Sequence, residues 1–104
     1  MTLTMAQIHE ITAAAARAHP DDWDAYEQYC AEHGIVARDH YREIGGAVWA
    51  IRIVGPINEF EARRLDSPTP TITARGSVFD TVEGGIIVPN IDAIADYVAQ
   101  RLSK

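Results

Sequence analysis

The chain contains one cysteine, Cys30, and one lysine, Lys104. A lone thiol closes no internal disulfide, so the fold has to hold by packing, and a reducing cytoplasm is the expected compartment. Residues 1–10 lack the basic flank and apolar core of a secretory signal, so secretion is not expected. No apolar run approaches the roughly 18 to 20 residues needed to cross a bilayer, so no membrane partner is expected. Positive charge is also scarce. Nine basic against fifteen acidic residues give a net charge of −6, which disfavours a nonspecific grip on nucleic acid or anionic lipid.

Motifs for bound chemistry are missing as well. No Gly-Lys-Ser/Thr occurs, and the pairs Gly45-Gly46 and Gly84-Gly85 lack the spacing of a phosphate cradle. Cys30 and His33 lie three apart, but the third and fourth ligands of a zinc site are absent, and His9 and His19 have no partner at helical spacing. Ser67, Ser77 and Ser103 have no nucleophile-elbow context. No metal, cofactor or catalytic residue is therefore assigned.

What remains is an ordinary globular composition of 47% apolar and 23% charged residues in 104, enough for one core, so a single domain over residues 1–104 is expected. Sixteen alanines and eight arginines beside the single lysine suggest a GC-rich coding sequence, and hence a bacterial or phage source.

Thr4 and Gln7 stand in capping-box spacing before a helix over residues 5–18, where Ile8, Ile11, Ala14, Ala15 and Ala18 share a face. His19-Pro20-Asp21-Asp22 breaks it and caps a second helix. In that helix Trp23, Ala25, Tyr26, Tyr29, Cys30 and His33 fall on one arc, Asp24, Glu27, Gln28 and Glu32 lie opposite, and Gly34 closes it. Residues 35–44 admit two readings. As a helix, Val36, Ala37, His40, Tyr41 and Ile44 separate completely from Arg38, Asp39, Arg42 and Glu43, and this separation favours the helix. As a strand, a Gly45-Gly46 hairpin would set Arg42 opposite Trp49 and Asp39 opposite Arg52.

Residues 47–54 read as a mid-sheet strand, apolar on both faces and ended by Gly55-Pro56, and residues 58–65 as a short helix from an Asn cap. Two prolines make residues 66–70 an extended connection. Short strands follow near 71–75, 77–82 and 86–88. Asn90 starts a last helix with Ile91, Ile94, Ala95, Val98 and Leu102 inward and Asp92, Asp96 and Gln100 outward. The expected fold is α+β: N-terminal helices, a small, mainly antiparallel sheet of three to four strands, and a C-terminal helix packed on it.

Residues 29–44, with Cys30 four before Gly34 and Ile35 after it, resemble a helix-turn-helix unit. That resemblance implies a DNA-binding regulator whose Arg38 and Arg42 face the groove. Tyr41 and Ile44 come one place later than the usual apolar phase of such a unit. Asp39, Glu43, Glu59 and Glu61 also interleave with the arginines of the middle third, a pattern expected from intramolecular pairing. A small enzyme with an acidic or histidine site near His19, Asp21 and Asp22 is a third reading. The leading expectation is a noncatalytic adaptor or inhibitor that meets a basic protein partner, a class that includes nucleic-acid binders, through Asp21, Asp22, Trp23, Asp24, Glu27, Gln28 and Glu32. A homodimer is a further possibility for a domain this small.

Overall fold

The computed structural model describes residues 3–54, 59–66, 72–74 and 80–103. In chain order it forms α1 (Met5–Ala18), α2 (Trp23–Glu32), β1 (His40–Ile44), β2 (Ala47–Val54), β3 (Glu59–Arg64), β4 (Ile72–Ala74), β5 (Asp80–Glu83), β6 (Ile86–Pro89) and α3 (Ile91–Leu102). The four strands β1-β2-β3-β4 make one antiparallel sheet in sequence order, and β5 and β6 pair as a separate hairpin. The class is α+β, as expected.

Local chemistry sets the helix starts. The Thr4 hydroxyl accepts from the Gln7 amide at 3.1 Å while the Gln7 side chain accepts from the Thr4 amide at 2.8 Å, completing the capping box. Asp22 and Asn90 cap α2 and α3 by accepting from the amides of Ala25 and Ala93.

Strand β2 organises the core because both of its faces are buried. Ala47, Trp49 and Ile51 pack with Ile44, Phe60 and Ala62 against Ile94 and Val98 of α3. Val48 and Ala50 point the other way and join Tyr41, Ile8, Ala15, Cys30 and Ile35 beneath α1 and α2. The sheet thus lies between α3 and the α1–α2 pair, and period-two alternation of apolar residues serves both layers.

Three expectations are corrected. Residues 40–44 are not helical: they form β1, paired with β2 so that Arg42 faces Trp49, as the strand reading required. The helical separation of residues 35–44 was real as a pattern, but β2 needed a hydrogen-bonding neighbour, and Gly45 and Gly46 at φ +60° and +82° supply the tight turn that gives it one. Residues 59–64 are likewise a strand, with Phe60 and Ala62 buried toward α3 and Glu59, Glu61 and Arg63 alternating with them. Leu102 is exposed at the end of α3 instead of turning inward. The stop at Gly55-Pro56, residues 67–70 of the proline connection and Gly76 lie outside the described residues.

Candidate functional site

The turn between α1 and α2 builds the most distinctive surface feature. Helix α1 stops at Ala18, with the His19 amide donating to the Ala15 carbonyl, and Pro20 prevents its continuation. Asp22 then caps α2, which places Trp23 in the first helical position and Tyr26 one turn later. Residues three apart on a helix are neighbours, and these two rings stack with centroids 5.3 Å apart and planes 17° from parallel. Trp23 remains 53% exposed. The apolar arc read from the sequence is therefore buried at Cys30, packed against the core at Tyr26 and Tyr29, and open at Trp23 at the helix start.

The stacked pair borders an open groove of about 600 Å³ whose described lining is Ala16, His19, Pro20, Asp21, Asp22, Trp23 and Tyr26. Asp21 and Asp24 are exposed, and Asp22 spends one carboxylate oxygen on the cap. No arginine or lysine is among the described lining residues. A second open groove of about 580 Å³ flanks the far end of α2, lined by Glu27, Gln28, Ala31, Gly34, Ile35, Val36 and Ala37.

The seven residues assigned from the sequence are distributed along the α1–α2 turn and α2, between the two grooves. Asp21, Asp22 and Trp23 share the first groove, with Asp24 exposed on the first turn of α2. Glu27 and Gln28 line the second groove. Glu27 is partly buried and pairs with Arg38 at 3.3 Å, and Gln28 donates to Glu32 at 3.5 Å. Of the acids assigned from the sequence, Glu27 alone has a cationic partner among the described residues, and Asp21, Asp22 and Asp24 cluster at the α1–α2 turn.

The arginines of the helix-turn-helix reading are also placed differently. Arg38 lies in the turn before β1 and is tied to Glu27, while Arg42 lies on β1. Arg42 pairs with Asp92 of α3 at 3.3 Å and donates to the Tyr41 carbonyl at 2.9 Å. With residues 40–44 in a strand, no recognition helix follows α2, and the DNA-contacting assignment of Arg38 and Arg42 is withdrawn.

Cys30 is fully buried, and burial pushes its thiol above the ordinary range, the reverse of nucleophile activation. Burial, reinforced by Cys30, also raises the Tyr26 hydroxyl. His33 is exposed, stacks on Tyr29 at 4.4 Å and is 2.8 Å through Nδ1 from the Tyr29 carbonyl. His19 meets the other side of this aromatic run, 6.3 Å from Tyr29 in an edge-on arrangement. Among the described residues, no three His, Cys, Asp or Glu side chains gather closely enough to hold a metal ion, and no helix is long and apolar enough to cross a membrane.

Sequence reading missed the tie between Glu27 and Arg38 and the wall that Ala16 and Pro20 give the first groove. The i, i+3 spacing of Trp23 and Tyr26 was the signal that the rings would meet. The sequence held no signal for which end of the arc would stay uncovered. No protein-family model, curated protein or solved structure matches this chain, so a functional reading has to come from the site itself.

Proposed function

We propose that this protein is a noncatalytic interaction module, a cytoplasmic adaptor or inhibitor of bacterial or phage origin, which docks a basic protein partner at the α1–α2 turn. The observation that carries the reading is the half-exposed Trp23, stacked on Tyr26 at the edge of an open groove with Asp21 and Asp22. Tryptophan and tyrosine concentrate binding energy at protein interfaces. The surrounding carboxylates, on a chain of net charge −6, would steer a basic partner and reject an acidic one. The raised Cys30 thiol and the outward-facing carboxylates of the turn offer little to an acid–base or nucleophilic mechanism.

Affinity capture from bacterial lysate at low and high salt tests the reading, with the native chain beside Trp23→Ala and an Asp21→Asn/Asp24→Asn double variant. The expected result is a basic partner retained by the native chain at low salt and lost from both variants. Absence of any such partner at low salt, or equal retention by the variants, overturns it.

A further inference from the structure

We infer that the α1–α2 groove takes an arginine side chain, stacked on the face of Trp23 that Tyr26 leaves open and met by the carboxylates of the turn. This rests on the docking role proposed above and deepens it by naming the recognised group. Tyr26 lies against one face of the indole in a near-parallel stack, and Trp23 as a whole remains 53% exposed, which leaves aromatic surface for a ligand. A flat π-surface open to solvent attracts a cation through its quadrupole, and a planar guanidinium can stack on it where a tetrahedral ammonium cannot.

The charge around that face has one sign. Asp21 and Asp22 line the groove, Asp24 is exposed on the first turn of α2, and the described lining supplies no arginine or lysine of its own. The first 34 residues carry a formal net charge of −5, with Arg17 as their only fixed cation. The molecule's other described arginine pairs, Arg38–Glu27, Arg42–Asp92, Arg52–Asp39 and Arg64–Asp66, all lie outside the groove. The turn thus joins an aromatic shelf to carboxylates that have no cationic partner among the described residues. That complementarity fits the fork of a guanidinium, which can stack through its plane while donating hydrogen bonds in that plane to oxygens at the rim. Ala16 and Pro20 give the groove an apolar wall along which the methylene stem of the incoming side chain can lie.

The test compares two peptides of equal charge, hexaarginine and hexalysine, titrated into the full chain at low salt. Indole fluorescence is the readout. Trp49 is 1% exposed, so a response to a surface ligand reports Trp23. Hexaarginine is expected to bind about 3- to 30-fold more tightly than hexalysine. In Trp23→Leu, isothermal calorimetry should show that preference collapse to about equal affinities, with helix content by circular dichroism unchanged. If both peptides bind the native chain equally and in a salt-dependent way, the acidic turn remains a docking surface and the arginine inference is overturned. An arginine preference that survives in Trp23→Leu overturns it too. If neither peptide binds, the inference fails together with the docking role.

Discussion

Asp39 and Arg52 meet through two hydrogen bonds, Nε to Oδ1 at 2.7 Å and Nη2 to Oδ2 at 3.3 Å, which tie the turn before β1 to the central strand β2. The carboxylate side chain is only 7% exposed and the guanidinium 41%. Glu61 lies directly across from Arg52 on β3, so the arginine stands between an acid in the turn before β1 and one on the neighbouring strand. A two-pronged pair of this kind fixes geometry as well as charge.

Removing the guanidinium leaves a nearly buried carboxylate without its partner. Arg52→Met is expected to destabilise the protein by about 1 to 3 kcal/mol, below the cost of breaking a fully buried pair because the arginine is half in water. Asp39→Ala combined with Arg52→Met should recover part of that loss, since the orphaned charge is gone. Urea unfolding of the single and double variants measures the coupling. Strict additivity would mean that the two hydrogen bonds contribute nothing to folding.

The hairpin that joins β1 to β2 depends on backbone conformation more than on contact. Gly45 and Gly46 both have positive φ, and a Cβ added to either meets nothing within 4 Å. Substitution therefore costs only the left-handed backbone penalty. Gly45→Val is expected to lose about 1 to 2 kcal/mol, and Gly45→Asn much less, because asparagine tolerates this region. Thermal melts of the two variants give the comparison.

Elements defined by their own ends were legible in the sequence. Thr4 with Gln7, Asp22 with Gly34, and Asn90 each mark a helix boundary, and caps act within one turn of the chain. Strand β2 was legible because a run apolar on both faces has to lie inside a sheet. Strands β1 and β3 were not, because their identity depends on a partner distant in sequence. Arg42, Tyr41 and Ile44 fit a helical period as well as a strand, and only pairing with Trp49, Ala50 and Ala47 decides between them. At Phe60 and Ala62 the two-residue alternation was present but short, and a preceding Asn outweighed it. The candidate site was half legible. Acidic residues at the turn were evident from composition, whereas the engagement of Glu27 by Arg38 needed the chain to fold back on itself.

The two tryptophans should respond in opposite ways to truncation. Trp23→Ala removes a half-exposed ring at a helix start and is expected to cost under about 1.5 kcal/mol, whereas Trp49→Ala opens a cavity between the sheet and α3 and should cost about 3 to 5 kcal/mol. Urea midpoints separate the two cases. Acrylamide quenching of the native chain provides a second check, with one accessible and one protected indole population expected. A large loss of stability in Trp23→Ala would mean that the ring serves the fold rather than a partner.

Burial raises the Cys30 thiol and the Tyr41 hydroxyl above their ordinary values of 9.0 and 10.0. The Val36 amide donates to the Tyr41 oxygen at 3.0 Å and partly offsets that rise. For an acid whose folded value is raised, the unfolded chain gives up its proton first as pH increases. The associated stability is complete below the unfolded value and is lost as pH climbs from there through the folded one. Unfolding free energy should therefore begin to fall near pH 9 from the thiol, and more steeply past 10 as the tyrosines join. Cys30→Ala removes the first of these contributions, so its stability should decline less between about pH 9 and 10 even though the small cavity lowers it throughout. Urea titrations at a series of alkaline pH values measure both slopes. Parallel curves for the native chain and Cys30→Ala would show that this thiol ionises alike in the folded and unfolded states. That result would contradict its complete burial beneath α1 and α2.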